Sequence, residues 1–140
     1  MRCDRYRAHV SLARVEMNKS LHILADLYDC CGDEKYLTKV SIVKKKVLQM
    51  VKRAGFVVVA SRFHKFAPGA NATDGGITGV IVVSESHLTI HTWPEKKFVN
   101  FDVFFCSYSR DNSEKTRNIF REFSRLYHPK KVRKREVWRD

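Results

Sequence analysis

A chain of 140 residues, 44% hydrophobic and 30% charged, has the composition of one globular domain with a real core, which excludes a disordered chain. No apolar run approaches the roughly 20 residues that span a bilayer, and no apolar segment follows Arg2, Arg5, Arg7 and Arg14, so neither a membrane span nor a secretory signal is expected. The net charge of +12, from 27 Lys and Arg against 15 Asp and Glu, raises a polyanion as partner, but it is dispersed and reads as a solvated basic surface rather than a nucleic-acid face.

Met1 to Lys19 is basic and without clear period, and is read as an N-terminal extension, partly helical from Val10 to Met17. Ser20 to Tyr28 alternates, with Leu21, Ile23, Ala25 and Leu27 on one face, as a half-buried strand does. Asp29 to Glu34 is a turn around Gly32. Tyr36 to Ala54 has helical spacing: Leu37, Val40, Val43, Val47, Met50 and Val51 form a stripe, the lysines face water, and Gly55 stops the helix. Phe56 to Phe63, rich in valine and aromatics, predicts a strand. Lys65 to Gly76 is a Gly, Pro and Asn loop with no nucleotide-binding glycine spacing.

Ile77 to Ser84 and Ser86 to Thr92 predict two more strands. Phe98 to Phe105 sets Val99, Phe101, Val103 and Phe105 opposite Phe98, Asn100, Asp102 and Phe104, which predicts a strand covered on both sides. Asn112 or Ser113 caps a helix running to about Tyr127, with Ile119, Phe120, Phe123 and Leu126 inward and Pro129 as terminator. Lys130 to Asp140 is basic, with Val132 and Val137 marking an edge strand. The order predicts a single α+β domain: a two-layer sandwich in which an antiparallel or mixed sheet carries two helices on one face. The four cysteines, two of them adjacent, form neither a disulfide framework nor paired CxxC spacing; free thiols in a reducing, cytoplasmic compartment are expected.

The chemistry concentrates in Ser84 to Glu95, SESHLTIHTWPE. His87 and His91 are spaced as on a zinc-binding helix, but Leu88, Thr89 and Ile90 favour a strand, where residues four apart lie about 13 Å from each other and share no metal. A serine hydrolase needs a GxSxG elbow, and none is present. On residue chemistry alone, His87 and His91 are ordinary strand residues, Trp93 a core residue and Cys106 a buried thiol.

The whole string, however, resembles the signature of the prokaryotic-type, pyruvoyl-dependent S-adenosylmethionine decarboxylase proenzymes. LHILADLYDC (Leu21 to Cys30) resembles that family's first strand, and HKFAP (His64 to Pro68) its HxFxP segment. GITGVIVVSESH (Gly76 to His87) is similar to the approach to its cleavage site, and FDVFFC (Phe101 to Cys106) to the strand that ends in its catalytic cysteine. Together the similarity covers residues 20 to 127.

The resemblance implies a zymogen that cuts itself between Glu85 and Ser86 into a β chain (1–85) and an α chain (86–140). Ser86 Oγ would attack the Glu85 carbonyl to give an ester. Loss of the Ser86 α-proton would expel the Glu85 carboxylate, and hydrolysis of the dehydroalanine would leave a pyruvoyl group and ammonia. His91 would be the proton acceptor of processing, supported by Thr78, which stands where the family has a serine. The pyruvoyl carbonyl would form a Schiff base with the substrate amine, and Cys106 would return a proton after carbon dioxide leaves. Phe66 and Trp93 would stack on the adenine of S-adenosylmethionine, and Glu95 would bind its ribose. The expected product, an aminopropyl donor, feeds spermidine and other polyamine biosynthesis. The family further implies a homodimer of processed protomers with active sites near the interface.

Two departures stand out. The loop between Pro68 and Thr78 is longer than the family norm, and Lys96 and Lys97 replace an aromatic and a glycine. Alternatives on the same fold are an arginine or ornithine decarboxylase, or a processing-dead regulatory paralogue.

Overall fold

The computed structural model describes residues 18–70 and 73–140; the expected helical stretch Val10–Met17 lies outside them. Six strands form one sheet: β1 (Ser20–Cys30), β2 (Val58–Lys65), β3 (Ile77–Val83), β4 (Ser86–Trp93), β5 (Phe98–Phe105) and β6 (Pro129–Arg139). Their order is β2-β3-β4-β5-β1-β6, and every neighbouring pair is antiparallel. Helices α1 (Lys35–Thr38), α2 (Val40–Arg53) and α3 (Ser113–Tyr127) complete the α+β sandwich.

Period-two alternation sorts each central strand into two faces. Leu21, Ile23, Ala25 and Leu27 of β1, Leu88 and Ile90 of β4, and Val99, Phe101, Val103 and Phe105 of β5 are all buried. The helices close over them with Val43, Val47, Met50 and Val51 of α2 and Ile119, Phe120 and Phe123 of α3. Phe123 stacks on Phe101 with ring centroids 3.7 Å apart, and Phe56 on Phe105 at 4.0 Å. Two layers and one core account for the fold.

Among the described residues, no layer covers the other face of the sheet. There Phe98, Asn100, Asp102 and Phe104 are half-buried, so β5 is covered by helices on one side only, not on both. Its apolar outward residues are shielded by cross-strand neighbours instead: Tyr28 and Trp93 flank Phe98, and His22 and His87 flank Phe104.

Three further expectations are corrected. The helix expected over Tyr36–Ala54 is two helices, broken where Lys39 is extended (φ −103°, ψ 99°). The carbonyls of Leu37 and Thr38 are drawn off by Thr92 Oγ1 (2.7 Å) and Lys65 Nζ (2.5 Å), which ends α1 after one turn. Strand β2 starts at Val58 rather than Phe56, because Phe56 turns into the core. Neither Asn112 nor Ser113 caps α3 through its side chain; the Asp111 carboxylate accepts from the Ser113 N–H at 2.8 Å. Gly55 (φ +85°) ends the α2 segment as expected. The chain leaves α3 through a left-handed His128 (φ 43°), and Pro129 opens the edge strand.

Candidate active site

The β3–β4 hairpin turns at Ser84 and Glu85, and Ser86 opens β4. Ser86 has φ 144°, a region that L-residues seldom adopt and that costs about 1–3 kcal/mol where neighbours enforce it. The neighbours are visible. The Ser84 N–H donates to the Val57 carbonyl (3.1 Å), and the Cys106 N–H donates to the Glu85 carbonyl (2.7 Å). The peptide bond between Glu85 and Ser86 is therefore gripped on its carbonyl side, with backbone strain on its amine side.

Cys106 sits just past β5 and is itself clamped. Its carbonyl accepts from Asn112 Nδ2 (2.7 Å), the Asn112 N–H donates to Ser107 Oγ (3.1 Å), and the Ser107 N–H donates to Ser20 Oγ (2.9 Å). Cys106 is a free, half-buried thiol. Ser86 Oγ lies 3.0 Å from His87 Nδ1. The Glu85 carboxylate accepts from Ser84 Oγ (3.1 Å) and stands 3.9 Å from the Arg110 guanidinium.

A second group gathers at the other end of β4. Thr78 and His91 are cross-strand partners, with Thr78 Oγ1 2.8 Å from His91 Nδ1. His91 borders a cavity of about 570 Å³ lined also by Phe66, Ile77, Trp93 and Glu95. The loop after β2 forms its rim: the Phe66 N–H donates to the Gly76 carbonyl (2.9 Å), and a Cβ on Gly75 would overlap the Phe66 carbonyl. Asp74 pins that loop to Lys65 (2.5 Å) and Lys39 (3.4 Å), and the Lys65 ammonium holds its carboxyl below the ordinary carboxylate range. Phe66 and Trp93 thus offer aromatic surface, and Glu95 a carboxylate, to one cavity.

The structure brings Glu85, Ser86 and Cys106 together, and separately Thr78, His91, Phe66, Trp93 and Glu95. It does not join the two sets within one chain: Trp93 lies seven residues beyond Ser86 on the same strand, about 23 Å at strand rise. His87 and His91 do share a strand face, and among the described residues no three His, Cys, Asp or Glu side chains form a metal-binding group.

Sequence reasoning missed His22, Asn112 as a clamp, and Arg110. His22 and His87 both pair with Phe104, from β1 and β4, and their rings meet edge-on at 6.3 Å. Burial lowers the His22 pKa, with smaller effects from Asp102 (raising), Arg139 and His87 (both lowering). Alternation places His22 outward, but only the register sets it beside Phe104 and near His87.

Comparison with known proteins supplies a family. Residues 21–140 match the family described as S-adenosylmethionine decarboxylase. The chain is 38% identical over 116 residues to an S-adenosylmethionine decarboxylase proenzyme of Carboxydothermus hydrogenoformans, covering 83% of this chain and 85% of that protein. It is 40% identical over 85 residues to the proenzyme of Thermotoga petrophila, covering 61% of this chain and 59% of that relative's length. Its fold is similar to the crystal structure of the adenosylmethionine decarboxylase from Aquifex aeolicus, with a TM-score of 0.71 and 30% identity over 86% of this chain and 90% of that one. With a match that runs from residue 21 to the last residue and a relative aligned along most of its length, the chain belongs to the S-adenosylmethionine decarboxylase family.

Proposed function

We propose that this chain is a proenzyme that cleaves itself between Glu85 and Ser86 and then decarboxylates S-adenosylmethionine, supplying the aminopropyl donor of polyamine synthesis. The observation that carries the reading is the Cys106 N–H held 2.7 Å from the Glu85 carbonyl beside a strained Ser86. That N–H is aimed where negative charge develops when a hydroxyl attacks the carbonyl. Cyclisation and cleavage also relieve the Ser86 backbone strain.

The residues present fit a pyruvoyl group derived from Ser86: a hydroxyl next to a polarised carbonyl, the His87 imidazole 3.0 Å from that hydroxyl, and Cys106 hydrogen-bonded to the same carbonyl. That group supplies an electrophilic carbonyl able to hold the substrate amine and take up the electron pair left by carbon dioxide. The chain supplies the rest. Cys106 Sγ holds the proton returned to the substrate α-carbon. Phe66 and Trp93 take the adenine and the sulfonium side, and Glu95 accepts hydrogen bonds from the ribose. His91, oriented by Thr78, carries protons during processing.

The separation of the two residue sets supports a homodimer. Pairing two open sheet faces in opposite directions sets Ser86 of one copy against the His91–Trp93 end of the other. No described helix is long and apolar enough to cross a membrane; we place the enzyme in the cytoplasm, in keeping with its free thiols.

Intact-mass measurement of purified protein tests the reading. The 16.4 kDa chain should give way to fragments 1–85 and 86–140 in the wild type and persist in Ser86→Ala. A wild-type chain that stays whole at neutral pH rejects self-cleavage. Carbon dioxide released from carboxyl-labelled arginine or ornithine, and not from labelled S-adenosylmethionine, rejects the substrate.

A further inference from the structure

We propose that His87 is the base of the first processing step, taking the hydroxyl proton of Ser86, and that His22 is its positioning residue. The inference rests on the self-cleavage reading and divides its proton transfers between two imidazoles.

Within one chain, the imidazole in contact with the nucleophile is His87: its Nδ1 is 3.0 Å from Ser86 Oγ. His91 lies five residues further along β4, about 16 Å away at strand rise, and its Nδ1 is engaged by Thr78 Oγ1. Ester formation needs a base at Ser86 Oγ before anything else happens, and His87 is already in place. In the tautomer with its proton on Nε2, His87 accepts at Nδ1.

The step balances without any co-reactant. Ser86 Oγ–H gives its proton to His87 Nδ1 as Oγ bonds to the Glu85 carbonyl carbon. The carbonyl electron pair moves onto the Glu85 oxygen, which the Cys106 N–H holds. Collapse of that centre breaks the Glu85 C–N bond, and His87 returns the proton to the departing Ser86 nitrogen. The product is an ester between the Glu85 carboxyl and Ser86 Oγ, with a free Ser86 amine. His91 is left for the Ser86 α-proton in the later elimination.

His22 supports His87 from behind. Its ring stands edge-on to His87 at 6.3 Å and 5.3 Å from Phe104, which the Arg139 guanidinium covers from 4.4 Å. The Nε2 of His22 is buried and has no hydrogen-bond partner. The groups facing it are Asp102, Arg139 and His87, and burial with Arg139 favours its neutral form against Asp102. A neutral His22 adds no positive charge beside His87.

Hydroxylamine, which cleaves esters and spares amides, separates the two steps. Full-length proenzyme is followed by intact mass with and without it, across pH. His87→Ala should remain an amide, unresponsive to hydroxylamine, with ester formation slowed about 10²–10⁴-fold and restored by added imidazole. His91→Ala should accumulate an ester that hydroxylamine cuts. His22→Phe should slow ester formation by freeing the His87 ring, leaving breakdown of the ester unchanged. His87→Asn, which keeps a polar side chain but takes no proton, covers an alanine variant that fails to fold. Ester formation at the wild-type rate in either folded His87 variant, or a folded His87→Ala that imidazole does not rescue, overturns the role of His87 alone. Ester formation at the wild-type rate in His22→Phe, or an equal slowing of ester breakdown, overturns the role of His22. A wild-type chain that never cleaves overturns the self-cleavage reading and this inference with it.

Discussion

The backbone N–H of Cys106 donates to the Glu85 carbonyl across 2.7 Å, so in the proposed mechanism one residue serves two chemistries through different atoms. Under that proposal its amide polarises the Glu85–Ser86 bond, and its thiol is the proton donor of turnover. The two functions separate by mutation. Cys106→Ala keeps the amide, so the chain should still cleave at close to the wild-type rate. It lacks the proton donor, so turnover should fall by about 10²–10⁴-fold. Intact mass reads the first and carbon dioxide release the second. Full turnover in the variant would remove the thiol from its role.

Thr78 makes a parallel case. Its hydroxyl is 2.8 Å from His91 Nδ1 on a paired strand, which fixes the imidazole's orientation. Thr78→Ser keeps the hydroxyl on a less restricted side chain and should cleave as well as the wild type. Thr78→Ala should slow cleavage about 10-fold or more by freeing the ring. Time courses of fragment appearance give both rates. Equal rates for the alanine and wild-type chains would leave the threonine a packing role only.

Much of this was legible in the sequence, for physical reasons. Alternation in Ser20–Tyr28 and Phe98–Phe105, and the stripe Ile119, Phe120, Phe123 and Leu126, are direct consequences of burial on one face; the inward residues they select are buried, except Leu126, which packs half-buried against the core. The helix break at Lys39 was not legible, because it depends on Thr92 and Lys65 capturing carbonyls from distant parts of the chain. Phe56 looked like a strand residue because its partner, Phe105, is 49 positions away. The motif marked Ser86, His91 and Cys106, but not that Asn112 clamps the Cys106 carbonyl or that His22 approaches His87. Those contacts follow from β-sheet register, which local sequence leaves undetermined.

The His22 environment also sets a pH dependence of stability. Burial lowers its pKa from the ordinary 6.5, so the folded chain binds fewer protons than the unfolded chain just below that value. Its contribution is therefore fully present above about pH 6.5 and is lost as pH falls from there through the lowered folded value. The charged groups facing it are Asp102, Arg139 and His87. Urea unfolding of the uncleaved Ser86→Ala chain should show stability declining in that window, and His22→Phe should reduce the slope. An unchanged slope would refute the assignment to His22.

Lys97 occupies left-handed space (φ 48°, ψ 45°) at the end of the turn after Glu95, where the resemblance places glycine. Its backbone is held there, accepting from the Cys30 N–H (2.9 Å) and donating to the Pro94 carbonyl (3.0 Å). A side chain in this region costs about 1 kcal/mol that glycine does not incur. Lys97→Gly should raise stability by about 0.5–1 kcal/mol, a melting shift of about 2–4 °C. Differential scanning calorimetry of the Ser86→Ala background measures it, and a lower melting temperature would show that the lysine is not strained.

The two ends of β4 give the assembly a test that needs no structure of the dimer. Ser86 and Cys106 lie at one end, and His91, Trp93 and Glu95 at the other, with Phe66 lining the same cavity. If each site draws on both copies, defects placed in different chains can complement. Ser86→Ala abolishes the nucleophile but keeps the cavity; Trp93→Ala keeps the nucleophile and damages the cavity. Each variant alone should have little activity. Co-expressed in equal amounts, half of the dimers are mixed, and each mixed dimer has one undamaged site of two, so activity should recover to about a quarter of the wild-type value. Sites built within one chain would leave the mixture as inactive as its parts. The pair Ser86→Ala and Cys106→Ala serves as the control: both defects fall at the same end of the strand, so no mixed dimer has an undamaged site and activity should stay low.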